Sequence, residues 1–135
     1  ISNKNIIFAG EISPEKLGDW YRTADLYIHL AWIEPCGNTQ IEAMACGLPV
    51  ICCNNGGIGE TVNLSSGGII VDADLDYQFN KLDYYKPPKP NYKNLVEAVN
   101  KIFFNYELYK NKINYNYLNI DNAAIEYTNF IKKLI

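Results

Sequence analysis

The chain has 135 residues, of which 48% are hydrophobic and 20% are charged, and its formal net charge is −3. This length and composition suit one globular domain, or part of one, with a core of its own. No stretch approaches the roughly 18 consecutive apolar residues of a membrane span, and the N-terminus lacks the basic-then-apolar order of a signal peptide. Because the first residue is Ile1 rather than Met, we expect the chain to be cut from a longer protein.

The charge is unevenly distributed along the chain. Residues 1–76 carry ten acidic and three basic side chains, whereas residues 77–135 carry five acidic and nine basic ones. The acidic first half argues against nucleic acid as a partner. The Tyr- and Lys-rich second half is compatible with peripheral contact with an anionic membrane surface, but its composition favours a solvated loop and helix face.

The four cysteines, Cys36, Cys46, Cys52 and Cys53, lack the paired C-x-x-C spacing of zinc sites. We therefore expect four free thiols in a reducing cytoplasm. Neither a metal nor a cofactor is expected.

The first third of the chain begins with an apolar run at residues 6–9, which predicts a buried parallel strand. Ser13 and Pro14 are typical of an N-cap and a first helical residue. The helix that follows should end at Asp25, before a strand at residues 26–30. Its apolar face is predicted to contain Leu17, Trp20, Tyr21 and Ala24.

The middle of the chain continues the alternation of helix and strand. A helix is predicted at Asn38–Ala45, ended by Gly47 in the left-handed conformation, and strands at Val50–Cys53 and residues 69–71 flank a short helix near residues 60–63. The buried stripe of the first of these helices is predicted to be Ile41, Met44 and Ala45.

The last part of the chain is predicted to be helical after a Pro-rich surface loop at residues 76–90. Helices are expected at residues 91–104, 106–118 and 123–134. The first should bury Leu95, Val99, Ile102 and Phe103, and the third has Ala124, Tyr127, Ile131 and Leu134 at helical spacing.

Alternating strands and helices predict an α/β fold, with a Rossmann-like parallel sheet covered by helices on both faces. Residues 1–75 form the α/β core of this single domain, residues 76–90 the loop and residues 91–135 the C-terminal helices. Ligands of such sheets lie beyond the carboxyl ends of the strands. Three polar or Gly-rich loops occupy that edge, at residues 10–13, 31–37 and 54–59.

Two carboxylates flank the start of the predicted helix Asn38–Ala45. The N–H groups of Gly37, Asn38 and Thr39 should be free there to bind phosphate or sugar hydroxyls. Glu34 precedes them, and Glu42 leans back toward the same helix end, where a carboxylate can accept from a vicinal diol such as a ribose. Taken alone, the pattern fits equally well a solvated loop acid at Glu34 and dipole stabilisation by Glu42.

His29 stands alone in its strand, without an evident partner in the sequence. This placement is more typical of a buried, hydrogen-bonded histidine than of a catalytic base. The sequence shows neither a metal-ligand cluster nor a pairing of a nucleophile with a base.

Residues 34–42, Glu-Pro-Cys-Gly-Asn-Thr-Gln-Ile-Glu, continue as Ala-Met-Ala-Cys-Gly-Leu-Pro-Val-Ile. This stretch resembles the E-x7-E segment of family-4 retaining glycosyltransferases, also called glycosyl transferases group 1, which are related to glycogen and starch synthases. The flanking stretches at residues 8–17, 21–28 and 55–62 agree in order. The resemblance covers residues 6–72 strongly and the final helices weakly.

The resemblance implies the incomplete C-terminal half of an enzyme with two Rossmann domains, the GT-B architecture. That half binds a nucleotide-diphosphate sugar, linked to UDP, GDP or ADP, and the sugar is transferred with retention of its anomeric configuration. A missing N-terminal domain would bind the acceptor, and no metal is implied for the chemistry.

The resemblance also implies roles for individual residues. Glu34 would be catalytic, binding the donor sugar and supporting positive charge at its anomeric carbon, while Glu42 would bind the ribose hydroxyls. Ile12 would contact the nucleobase through its backbone. Sugar hydroxyls and diphosphate would rest on the backbone of Cys36, Gly37, Asn38 and Thr39.

The chain departs from the family in one respect. The family has an Arg/Lys pair that neutralises the donor phosphates, in a region upstream of this sequence, and Arg22 lies in a different helix. Without that pair, and without an acceptor domain to exclude water, we expect this chain alone to be inactive or nearly so, which detection of sugar transfer would refute.

Two other functions stay open at this point. One is a non-catalytic relative that binds a sugar nucleotide or a partner through the same fold. The other is a sugar-nucleotide epimerase of the same architecture, against which the Glu-Pro-Cys-Gly-x-Thr-Gln stretch argues.

Overall fold

The computed structural model describes residues 4–31, 34–54, 56–72, 87 and 89–134. Its sheet has three parallel strands in the order β1-β2-β3, namely β1 (Tyr27–His29), β2 (Val50–Cys53) and β3 (Gly68–Val71). In this register Ile28 lies beside Ile51, which in turn lies beside Ile69. The predicted parallel sheet is therefore confirmed.

Seven helices surround or follow this sheet in the described residues. They are α1 (Pro14–Thr23), α2 (Asn38–Ala45), α3 (Ile58–Ser65), α4 (Tyr92–Phe104), α5 (Tyr106–Asn111), α6 (Tyr115–Leu118) and α7 (Ile120–Lys132). The start of α1 at Pro14 and both ends of α2 agree with the predictions. Gly47 has a φ of +83°, which confirms the left-handed residue beyond α2.

The central strand β2 separates two hydrophobic clusters, since successive side chains of a strand point to opposite faces. Val50 and Cys52 pack with α1, α2 and α3, in a cluster that includes Tyr21, Met44 and Val62. Ile51 and Cys53 belong to the opposite cluster, to which α4 contributes Ala98 and Ile102. Helices therefore cover both faces of the sheet, as the alternating pattern predicts.

The strand predicted at residues 6–9 is wrong. The segment has no strand conformation, and Ile7 and Phe8 are 83% and 94% exposed. A strand forms only when a neighbour satisfies its backbone groups, and among the described residues β1 pairs with β2 alone. Local apolar composition predicted a strand here, but it does not supply a pairing partner.

Several predicted core positions also differ from the structure. In α2 the buried residues are Gln40, Ala43 and Met44, whereas Ala45 is exposed and Ile41 is half-buried. The helix contacts α1, α3, α6 and two strands, so the neighbours rather than the apolar spacing select its buried face. The remaining corrections are exposed side chains that the spacing placed inward, namely Trp20, Ala24 and Phe103.

The helix predicted at residues 106–118 is two helices, α5 and α6. Between them Ile113 is buried at 4% exposure, and the backbone N–H of Asn114 donates to Ser65 O at 2.7 Å. The side chain of Asn114 then accepts from the N–H of Tyr117 and begins α6. Docking of this junction on α3 therefore interrupts the helix.

The final helix α7 begins at Ile120, three residues before its predicted start, and buries none of its residues. Most of the predicted loop at residues 76–90 lies outside the described residues, so its role stays a prediction.

Candidate functional site

Two of the three predicted loops meet at the carboxyl edge of the sheet. Glu34 forms a parallel bridge with Gly56, and the N–H of Gly57 donates to Pro35 O at 3.1 Å. Glu34 follows β1, and Gly56 follows β2, so the site lies where ligands of parallel sheets bind. Trp32, Ile33 and Asn55 of these loops lie outside the described residues.

Glycines allow the loops and the start of α2 to approach each other. Gly56 has a φ of +99°, and a side-chain carbon there would collide with the backbone carbonyl oxygen of Glu34. At Gly37 the same carbon would collide with Gln40 Oε1 and lie 2.9 Å from Glu34 Cγ. Because a side chain at Gly56 would meet backbone, whereas one at Gly37 would meet side chains, Gly56 is the stricter constraint on the position of Glu34.

Gly37 is the N-cap of α2, and no side chain caps this helix end. The first N–H groups of a helix have no intrahelical acceptor, so those at the start of α2 are available to an anion or a hydroxyl oxygen. Asn38 is exposed and Thr39 is half-buried. The predicted opening at this helix end is thus present in the structure.

Glu42 is exposed, on the side of α2 that meets α1. Its Oε2 accepts a hydrogen bond from the buried Tyr21 hydroxyl at 3.4 Å. Burial, with the nearby Tyr27 and Glu42, raises the pKa of Tyr21 to about 12. The hydroxyl therefore keeps its proton at neutral pH and donates it to the Glu42 carboxylate, which does not face the protein interior.

Glu34 is linked to α2 through two side chains of β1. Its Oε2 lies 3.9 Å from Nε2 of His29, and Nδ1 of His29 lies 3.2 Å from the Tyr27 hydroxyl. That hydroxyl donates to Thr39 Oγ1 at 2.8 Å. His29 is half-buried rather than buried, and the hydrogen bond expected from the sequence involves its Nδ1 alone.

Sequence reasoning missed Tyr27 and Gln40. Tyr27 stands two residues before His29, and this period-2 spacing places both on one face of β1, a signal that was available. Gln40 had no comparable signal, since its spacing does not predict that its side chain lies fully buried beside Gly37.

Buried polar atoms without a hydrogen-bond partner concentrate beside Glu34. Across the part of the chain that the structure describes, they are Nε2 of His29 and both side-chain polar atoms of Gln40, whose side chain is fully buried. Most buried polar groups of folded proteins are paired, so each exception calls for an explanation. Both residues lie beside the 34–37 loop, so the unpaired polar atoms surround Glu34. We call this group of unpaired atoms the polar centre of the candidate site.

Ile12 is half-buried just before α1, and its contact with a nucleobase stays a prediction.

Cys36 is exposed and, with Ile41 and Thr61, lines one side of a groove of ≈ 400 Å³ whose other side is formed by residues 116–126. Among the described residues, no helix is long and apolar enough to cross a membrane.

The four cysteines, all free, should differ sharply in reactivity toward a thiol reagent. Cys36 is exposed and Cys46 half-buried, whereas Cys52 and Cys53 are buried. Burial, together with Cys53, raises the pKa of Cys52 to about 12, so this thiol stays protonated and unreactive at neutral pH. We expect Cys36 to react fastest with a chromogenic disulfide reagent in the native chain. Loss of the fastest phase in Cys36→Ser, but not in Cys46→Ser, would assign that phase to Cys36. Rapid modification of Cys52 in the native chain would contradict the buried position of β2.

Comparisons with known proteins bear on the same region. The family described as "Glycosyl transferases group 1" matches residues 2–119. D-inositol 3-phosphate glycosyltransferase of Rhodococcus opacus (strain B4) is 40% identical over 68 residues, which are 50% of this chain and 15% of that protein. Mannosylfructose-phosphate synthase of Agrobacterium fabrum (strain C58 / ATCC 33970) is 36% identical over 67 residues, again 50% of this chain and 15% of the relative.

A third relative matches over most of the chain. It is the Bacillus subtilis (strain 168) protein named "Putative glycosyltransferase YtcC", 29% identical over 131 residues, which are 96% of this chain and 28% of that protein. The chain thus spans between 15% and 28% of the length of these three relatives. No solved structure gives a significant match. Since the family match extends over all three strands and both glutamates, the chain belongs to the glycosyl transferases group 1 family.

Proposed function

We propose that this chain supplies the donor-binding part of a retaining glycosyltransferase, in which it corresponds to the C-terminal of two Rossmann domains. The ligand would be a nucleotide-diphosphate sugar linked to UDP, GDP or ADP. One observation carries the proposal: the N-terminus of α2 has no side-chain cap and lies at the carboxyl edge of a parallel sheet, with Glu34 in the loop before it and Glu42 about one turn into the helix.

Each part of this arrangement suits one part of such a donor. The N–H groups of Asn38 and Thr39 suit phosphate or sugar oxygens, because hydrogen-bond donors and the positive helix end face the ligand. Glu42 suits the ribose diol, and the Tyr21 hydroxyl holds its carboxylate in place. The backbone of Cys36 and Gly37 would complete the cradle.

Glu34 would act on the sugar itself. Its carboxylate is half-buried, and partial exclusion of water strengthens its attraction to positive charge that develops at the anomeric carbon. Ile12 would contact the base through its backbone. The four free thiols agree with a reducing cytoplasm as the site of action.

Calorimetric titration of the chain with UDP-glucose, GDP-mannose and ADP-glucose tests the proposal. Glu42→Ala should weaken binding of the preferred donor by about 10- to 100-fold, as expected for loss of hydrogen bonds to a charged group worth about 1.5–3 kcal/mol. Glu107→Ala is the matched control, because it removes an exposed carboxylate near the start of another helix, α5, which belongs to none of the loops of the candidate site. Equal affinity of Glu42→Ala and the unaltered chain would contradict the ribose role.

The same chain should bind without transferring sugar. Sugar transfer needs an acceptor site and exclusion of water, for which the resemblance implies a second domain, so we expect a bound donor to stay intact on this chain. Release of nucleotide from a bound donor in the presence of acceptor sugars would contradict this expectation.

A partner-binding module of the same fold is the second candidate. Its support is α7, along which Ile120, Tyr127 and Phe130 are 82%, 72% and 61% exposed, because exposed apolar surface of this kind marks interaction sites. Absence of binding by all three donors would favour this candidate over the first.

A further inference from the structure

Four side chains lie one after another between the start of α2 and the 34–37 loop. Thr39 begins the line, followed by Tyr27 and His29 on one face of β1 and by Glu34 at its end. The successive separations are 2.8 Å, 3.2 Å and 3.9 Å. Only the last is too long for a hydrogen bond.

The number of available protons explains why the line is broken at Glu34. The Tyr27 hydroxyl has a single proton, which it donates to Thr39 Oγ1. Its contact with Nδ1 of His29 is therefore a hydrogen bond only when Nδ1 carries the proton and the tyrosine oxygen accepts it. In a neutral imidazole Nε2 then has a lone pair, which faces a carboxylate oxygen of Glu34.

Two acceptors repel each other, so this protonation state accounts for two linked features of Nε2. One is the 3.9 Å separation between Nε2 and Glu34 Oε2. The other is that Nε2 is buried and lacks a hydrogen-bond partner within the described part of the chain.

We propose that Tyr27 and His29 are positioning residues that couple occupancy of Thr39 to the orientation of Glu34. A ligand hydroxyl that replaces the Tyr27 hydroxyl as the donor to Thr39 Oγ1 allows the threonine proton to turn toward the Tyr27 oxygen, and the tyrosine proton is then donated to Nδ1. Water accepts the Nδ1 proton of His29 and supplies one proton to Nε2, so the imidazole stays neutral and no net proton is gained or lost. The Nε2–H group then donates to Glu34 and holds its carboxylate.

This coupling discriminates between ligand groups. A phosphate oxygen accepts the threonine proton and leaves the Tyr27-to-Thr39 bond as it is, whereas a sugar hydroxyl can reverse the line. The significance of the coupling for catalysis rests on the proposed function, since Glu34 is proposed there to act on the donor sugar. The coupling itself is a property of the folded chain.

The chain contains a single histidine, so the tautomer of His29 can be measured without ambiguity. Long-range ¹H–¹⁵N spectra of the ¹⁵N-labelled chain, at a pH at which the imidazole is neutral, should show the Nδ1–H form as the major tautomer. Thr39→Val removes the acceptor of the Tyr27 proton and should make Nε2–H the major form. Thr39→Ser, which keeps the hydroxyl, should match the unaltered chain.

Tyr27→Phe is a second variant, in case Thr39→Val does not fold. It removes the acceptor of the Nδ1 proton and should also favour the Nε2–H form. An unaltered chain with mainly Nε2–H, or folded variants with the unaltered tautomer, would overturn the coupling.

Titration with UDP-glucose, GDP-mannose and ADP-glucose separates this inference from the proposed function. Calorimetric binding accompanied by a switch of the major tautomer supports both. Binding without a switch overturns the coupling and leaves donor binding standing. Absence of binding counts against the proposed function, while the spectra of the free variants still decide whether the coupling exists.

Discussion

Alanine at Gly56 is expected to destabilise the fold by about 3 kcal/mol or more, because a strained left-handed residue costs about 1–2 kcal/mol and overpacking adds about 1–3 kcal/mol. Gly56 has a φ of +99°, and its added side-chain carbon would overlap the carbonyl group of Glu34. The overlap is with backbone, so no rotation of a side chain can relieve it.

The same substitution should move the loop that presents Glu34. The bridge between Glu34 and Gly56 joins the two loops of the candidate site, and a shift in one loop displaces the other. We therefore expect weaker donor binding as well as a lower free energy of unfolding, measured by calorimetry and by urea denaturation.

Gly10→Ala is the matched control for this prediction. Gly10 also has a positive φ, +67°, but a side-chain carbon there would meet no atom within 4 Å. Gly10→Ala should lower the free energy of unfolding by only about 1–2 kcal/mol, which is the cost of a left-handed conformation for alanine. Equal losses of stability at the two positions would show that the close approach of the loops is not what constrains Gly56.

Leucine at Gln40 is expected to stabilise the fold by about 1–3 kcal/mol, which is the usual cost of a buried polar group that lacks a partner. Gln40 is fully buried, and neither its Nε2 nor its Oε1 has a hydrogen-bond partner in the described residues. Leucine has a similar size and no polar atoms. The increase should appear as a higher urea midpoint with an unchanged slope.

Ser65→Ala is the contrasting control for Gln40→Leu. Ser65 is also fully buried, but its hydroxyl contacts Met44 and Val62 O and accepts from the N–H of Gly67. Its loss should cost about 1 kcal/mol. Destabilisation by Gln40→Leu would mean that the amide has a stabilising partner, and the polar centre beside Glu34 would then need another explanation.

An unpaired amide next to a candidate site is informative in itself. Buried polar groups that lack hydrogen-bond partners are expected mainly at functional sites. Gln40 Oε1 lies beside Gly37, the N-cap residue of α2. We therefore expect the gain in stability of Gln40→Leu to be accompanied by weaker donor binding in the same titrations.

Several elements of this protein follow from local sequence alone. Pro14 after Ser13 determines where α1 begins, and Gly47, with Pro49 two residues later, determines where α2 ends. These signals act through the conformational limits of single residues and their immediate neighbours, so they do not depend on the rest of the fold. The order of the loops and the E-x7-E spacing likewise predict a site at the start of α2, within the residues that the family match covers.

Other features depend on contacts between distant residues, which local patterns do not encode. Residues 6–9 have the composition of a strand but pair with none of the described strands, and the docking of Ile113 and Asn114 against α3 divides one predicted helix into α5 and α6. The link from Thr39 through Tyr27 and His29 to Glu34 joins a helix, a strand and a loop. Backbone preferences are set within a few residues, whereas burial, strand pairing and the sharing of protons are decided only when separate segments pack together.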